Sequence, residues 1–119
     1  MKTIQRGEVH WVQLDPARGS EMAKRRPCVI LSPREINDHR RTVVMVPLTT
    51  TETPAIFPLL VATPSMGASS KVRTEHIRAI DKSRLSGYIT DIGADDLQEI
   101  NRALCQVLAI KSPSLENRN

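Results

Sequence analysis

The apolar positions of this chain fall into short runs separated by polar stretches that carry proline or glycine. Residues 8–14 (EVHWVQL) are rich in β-formers and lie between Gly7 and the turn DPARG at 15–19, which predicts a strand. CVILS at 28–32 and TVVMVPL at 42–48 are continuous apolar runs of strand length, and both predict buried strands. Pro47 marks the end or an edge of the second of these, because proline cannot donate to a ladder. Between them, Ser32, Pro33 and Glu35 form the pattern of a helix start, with Ser32 as the cap, and predict one or two helical turns over 33–38. IFPLLVA at 56–62 predicts an edge strand, KVRTEHIRAID at 71–81 one long or bent strand, and SGYITDI at 86–92 a last short strand. Then the period changes. Leu97, Ile100, Leu104, Val107 and Leu108 fall on one face of a helix, with Asp95 and Asp96 in its first turn, where carboxylates complement the helix dipole. The pattern as a whole predicts a mostly β fold: a small antiparallel barrel or sheet with a C-terminal helix packed on it.

The chain has 119 residues, which predicts one domain, here over 1–110, followed by a flexible tail at 111–119 that lacks apolar content. The runs CVIL and VVMV are far short of the roughly 20 residues a membrane-spanning helix needs. The N-terminal MKTIQRGEV has no apolar core for a signal peptide, so the expected compartment is the cytoplasm. Cys28 and Cys105 both sit in apolar surroundings and read as reduced core cysteines. His10, His39 and His76 are scattered without metal-ligand spacing, and no metal or other cofactor is expected.

Charge changes the picture further. Residues 1–90 carry 14 Lys/Arg against 8 Asp/Glu, whereas residues 91–119 carry 3 against 5. The positive excess lies in the strand-rich part and points to a polyanionic partner, nucleic acid first. Aromatic residues make up only 3% of the chain, too few for a surface that holds bases by stacking on many rings. Trp11 reads as a core anchor.

Two polar loops adjoin the buried strands: GSEMAKRRP at 19–27 and the PLTTT end of the third strand at 47–51. Cutting RNA without a metal requires a base for the 2′-OH proton, donors for the charge on the phosphorane and an acid for the leaving 5′-oxygen. Glu21 has the chemistry of the base, Arg26 that of a phosphate clamp and Thr49 that of a hydroxyl donor. Read by themselves, the same residues fit a solvated basic turn beside a Thr-rich loop better than a catalytic site. Arg73 and Arg78 fit either a phosphate track or exposed strand positions, and His76 either acid–base work or an ordinary strand histidine.

The order of four motifs resembles the MazF/PemK family of toxins from bacterial toxin–antitoxin pairs. They are RGEVHWVQLDPARGSE at 6–21, RRPCVILSP at 25–33, VVMVPLTT at 43–50 and VRTEHIRAIDKSRL at 72–85. The resemblance implies an SH3-like antiparallel β-barrel with a C-terminal helix, acting as a homodimer. It implies metal-independent cleavage of single-stranded RNA at a short motif, leaving 2′,3′-cyclic phosphate and 5′-hydroxyl ends. It implies neutralisation by an antitoxin with an acidic, disordered C-terminal segment. By the same resemblance Arg26 and Thr49 act on the scissile phosphate, and Glu21 or the Arg73–Glu75 pair supplies acid and base. Ser20, Lys24, Arg25, Thr50 and His76 complete the expected RNA-contacting set. His76 stands where the family usually has glutamine. Two other readings stay open on these residues: a CcdB-like poison of DNA gyrase that cuts nothing, and a basic SH3-like module that binds nucleic acid without catalysis.

Overall fold

The computed structural model describes residues 3–14 and 25–111. Its strands are β1 (Glu8–Gln13), β2 (Arg25–Ile30), β3 (Thr42–Thr50), β4 (Leu60–Ala62), β5 (Ser70–Arg73), β6 (Arg78–Asp81) and β7 (Leu85–Asp91). Helix α1 spans Arg34–His39 and helix α2 spans Ala94–Val107. The strands form one antiparallel sheet in the order β4-β5-β3-β2-β1-β7, with β6 also paired to β3. This is the β-rich fold with a C-terminal helix that the apolar pattern predicts. The sheet order is open rather than closed into a barrel.

Side chains alternate between the two faces of a strand, and two cores result. Val9, Val29, Val46, Leu48 and Val72 point to one face, where Ile100, Ala103 and Leu104 of α2 cover them. Val12, Cys28, Ile30, Val43, Met45 and Ile80 point to the other face, with Ile4, Leu14 and Leu85 packed at the margin. Each fully buried aliphatic side chain contributes about 1.5–3 kcal/mol. The α2 face is centred on Ile100, Ala103 and Leu104; Val107 is half-buried and Leu108 exposed, so the expected apolar stripe leaves the core at its C-terminal end.

Close approach sets the start of α2. Asp96 is buried, and its Oδ2 accepts from the backbone N–H (2.8 Å) and the hydroxyl of Ser65. The Ser65 hydroxyl in turn accepts from the Gly93 N–H at 3.0 Å. A Cβ on Gly93 would lie 2.9 Å from the Ser65 Cβ. Gly93→Ala is therefore expected to destabilise the fold by about 1–3 kcal/mol, the usual cost of overpacking. Urea denaturation measures it; a midpoint equal to that of the parent would show that the contact relaxes freely.

Four sequence expectations are corrected. Ser32 does not cap α1: the N-cap is Pro33, without a side-chain bond. Instead Ser32 donates its hydroxyl to Asn37 Oδ1 and accepts from the Val44 N–H at 2.9 Å, since Asn37 is buried and needs partners. The run 56–62 is a strand only from Leu60. The Leu59 and Leu60 N–H groups both donate to Ile56 O at 2.8 Å, which makes 56–59 a tight turn that includes the cis Phe57–Pro58 bond. Segment 71–81 is bent into two strands. β5 pairs with Leu48–Thr50 and β6 with Thr42–Met45 along the same edge of β3, and a 3₁₀ turn at Thr74–His76 lies between them. Thr74 holds that turn by donating its hydroxyl to Pro58 O and its N–H to Leu59 O. Glu75 and His76 are thus on a turn and not in a strand. Finally, of the two roles expected for Pro47, the end of β3 is not observed, since the strand runs on to Thr50, and the edge position is. It lies between the two paired stretches, where that edge does not require its missing N–H.

Candidate functional site at the gap between two strands

The register of β2 on β3 is Cys28↔Pro47, Val29↔Val46 and Ile30↔Met45. Continued two residues further, it would set Arg26 against Thr49. The pairing stops at Cys28, while β2 runs back to Arg25 on β1 and β3 runs on to Thr50 on β5. A gap therefore opens in the sheet, with Arg25, Arg26 and Pro27 on one side and Leu48, Thr49 and Thr50 on the other. Strand 25–30 begins earlier than its apolar run because β1 supplies a partner for the arginines: Val12↔Arg26 and Gln13↔Arg25.

Parity decides what faces the gap. Arg26 shares a face with Cys28 and Ile30, Thr49 with Met45, and Arg78 with Ile80, all on the side of the second core. Lys71 is opposite Thr49, and Arg73 follows two residues later. Four separate strands thus place Arg26, Thr49, Arg73 and Arg78 at one open end of that core. The cleft they form is about 290 Å³ and is also lined by Leu14, Pro47, Leu48 and His76. Among the described residues it has no carboxylate, and Arg26, Arg73 and Arg78 make no ion pair. Cys28 lies beneath: burial pushes its thiol up to about 12 against the pull of Arg26 and Arg78, so it stays protonated and is no nucleophile.

A second cleft of about 440 Å³ shares Arg26, Leu48 and Thr49 and is completed by Arg25, Pro27, Thr50, Met66 and Ser70. Its walls are largely apolar and hydroxylic. Met66 lies in the connection before β5 and Ser70 is the first residue of β5, in a segment whose composition alone marks no site; Ser70 is fixed by the Thr63 hydroxyl, which donates to its Oγ at 2.9 Å, and by β5 pairing with β3. Lys71, buried, donates to Thr51 O at 3.0 Å and pins the end of β3 beside Thr49. On the other flank, Arg84 donates to Gln13 O (2.9 Å) and Leu14 O (3.0 Å) and holds the end of β1.

The structure brings together Arg25, Arg26, Thr49, Thr50, Arg73 and His76 of the predicted set, with Arg78. Glu75 is exposed and lines neither cleft. Ser20, Glu21 and Lys24 lie outside the described residues. Among the described residues no group of three or more His, Cys, Asp or Glu is placed to hold a metal ion. Trp11 differs from expectation: it is half-buried, belongs to neither core cluster and lies under the Arg25 guanidinium, 4.6 Å from the ring centroid. Among the described residues no helix is long and apolar enough to cross a membrane.

Comparison with known proteins bears on this geometry. Residues 5–108 match the family model of the PemK-like, MazF-like toxin of type II toxin–antitoxin systems. The chain is 33% identical over 110 residues to the endoribonuclease MazF9 of Mycobacterium tuberculosis, covering 85% of this chain and 92% of that protein. Its fold is similar to that of MazF in a MazE–MazF crystal structure from Deinococcus radiodurans (TM-score 0.80, 27% identity, 93% of this chain and 100% of that one). It is also similar to an endoribonuclease in complex with its cognate antitoxin from a mycobacterial species (TM-score 0.75, 29% identity, 95% of this chain and 100% of that one). With its four motifs in order, its open sheet backed by a C-terminal helix and a match over 104 of its residues, the chain belongs to the PemK-like, MazF-like toxin family.

Proposed function

We propose that this chain is a toxin endoribonuclease that cleaves single-stranded RNA at the gap between β2 and β3. The observation that carries the reading is Arg26 set across the gap from Thr49, with Arg73, Arg78 and His76 on the same face and no carboxylate among the described lining residues. Three guanidiniums gathered without a counter-charge among the described residues favour a polyanion. At a scissile phosphate, Arg26 donates to the non-bridging oxygens with its planar fork, and the Thr49 hydroxyl adds a further hydrogen bond. Both interactions strengthen as the phosphorane gains charge. The 2′-oxygen attacks phosphorus, the P–O5′ bond breaks, and the products are a 2′,3′-cyclic phosphate and a 5′-hydroxyl. One proton leaves the 2′-OH and one reaches the 5′-oxygen. His76 lines the cleft and is one candidate for the proton transfers; Glu21 is its rival for the base, and Arg73 with Glu75 the remaining acid–base pair.

The working form is a homodimer in the cytoplasm, where RNA is available. Its partner is a cognate antitoxin whose acidic, disordered C-terminal segment covers the arginine cleft and excludes RNA. The mycobacterial endoribonuclease in complex with its cognate antitoxin and the MazE–MazF crystal structure from Deinococcus radiodurans support the existence of such a partner.

The test is incubation of the purified protein with a defined RNA in EDTA, followed by end-group analysis. Expected are fragments with 2′,3′-cyclic phosphate and 5′-hydroxyl ends, and no cut where the scissile nucleotide carries a 2′-deoxy sugar. A deoxy-substituted site cut at the normal rate would exclude the transesterification. RNA left intact across varied sequences would replace the nuclease with a protein that only binds, and gyrase inhibition would then identify a poison.

A further inference from the structure

The two clefts that share Arg26 and Thr49 have different chemistry. One presents Arg73, Arg78 and His76. The other presents Pro27, Leu48 and Met66 with the hydroxyls of Thr50 and Ser70, and has Arg25 at its edge. By strand parity Arg25 points to the face opposite Arg26, where Pro27 and Trp11 are also found. Its guanidinium lies over the indole at 4.6 Å, and Nε donates to Ser86 Oγ at 3.2 Å. The Ser86 hydroxyl in turn donates to Trp11 O at 3.3 Å. Three strands, β1, β2 and β7, thus hold one exposed guanidinium by its plane.

A surface arginine that served only as a charge would need no such support. A guanidinium with one face on an aromatic ring can take a nucleobase on the other, as arginine planes do in RNA recognition. We propose that Arg25, backed by Trp11, is a specificity-determining residue that stacks the nucleobase flanking the phosphate held at Arg26. The cleft that holds Pro27, Leu48 and Met66 takes that base, with Thr50 and Ser70 within it as edge-reading hydroxyls, and the cleft that holds Arg73 and Arg78 takes the phosphodiester backbone. The inference rests on the ribonuclease reading above. It also explains how a chain with so few aromatics selects a sequence: its sole tryptophan acts through an arginine.

The experiment uses a random-sequence RNA pool cut by the full chain, with the product ends sequenced to give the base preference at each position around the cut. Arg25→Lys keeps the charge and removes the plane. It is expected to slow cleavage roughly tenfold, the scale of one lost base stack, and to flatten the preference at one position next to the cut while the others keep theirs. Trp11→Leu is expected to flatten the same position, and Trp11→Phe to retain most of the preference. An unchanged preference at every position in Arg25→Lys, whatever its rate, would overturn the proposal and leave the ribonuclease standing. A pool left uncut by the parent chain would remove the ribonuclease reading and this inference with it.

Discussion

Replacing Arg26 by alanine is expected to lower RNA cleavage by about 10²–10³-fold, the usual effect of removing one preorganised donor from a developing oxyanion, with the fold unchanged. The second half of that expectation follows from exposure. Arg26 is exposed on β2, and among the described residues its side chain has no hydrogen-bond partner or ion pair whose loss would weaken the protein. The backbone pairing of Arg26 with Val12 survives truncation of the side chain. Arg26→Lys restores charge but not the fork and should recover only part of the loss. Single-turnover cleavage of one RNA by the three proteins, with thermal melts alongside, separates these outcomes. Cleavage by Arg26→Ala at the parental rate would remove the phosphate from this gap.

The largest expected effect on stability lies away from the site. Asn37 is 1% exposed, and its Nδ2 donates to Ile4 O and Ser32 O, both at 2.9 Å. Its Oδ1 accepts from the Ser32 hydroxyl, which itself accepts from the Val44 N–H. One side chain thus ties the start of the described chain, α1 and β3 together. Asn37→Ala removes the amide partner of two carbonyls and one of the two partners of the Ser32 hydroxyl, and opens a void in a buried place. The expected cost is about 3 kcal/mol, because stranded buried polar groups each cost 1–3 kcal/mol and part of the loss relaxes. That corresponds to a fall in Tm on the order of 10 °C. A melt within a degree or two of the parent would mean that water replaces the amide at no cost.

Much of the fold was legible because it follows from local pattern. The apolar runs at 8–14, 28–32 and 42–48 mark strands β1, β2 and β3, and the 3.6-residue spacing of Leu97, Ile100 and Leu104 marks α2. The misreadings also have local causes. A capping pattern at Ser32 gave way to a buried amide that needed its hydroxyl. An apolar run at 56–62 gave way to a tight turn around Pro58. A continuous run at 71–81 hid a 3₁₀ turn, because nothing in its composition shows that β3 has to be followed past a proline.

The candidate site divides in the same way. Arg26 and Thr49 stand out in the sequence as chemical types and through the resemblance of their motifs to a known family. Their confrontation does not. It arises because the β2–β3 ladder ends at Cys28 while each strand continues along another partner, and where a ladder ends is a property of long-range register. The partition of Arg25 and Arg26 to opposite faces, one against Trp11 and one toward Arg73 and Arg78, is likewise set by the pleat and by the strands on either side.

The sequence by itself determined that the runs at 8–14, 28–32 and 42–48 extend and that the 97–104 stretch coils, that positive charge gathers in the strand-rich part, and which side chains could handle a phosphate. Only the tertiary structure decided which of them meet. Periodicity is read over a few neighbouring residues, whereas the gap, its two chemically different clefts and the arginine held flat on tryptophan depend on strands brought together from across the chain.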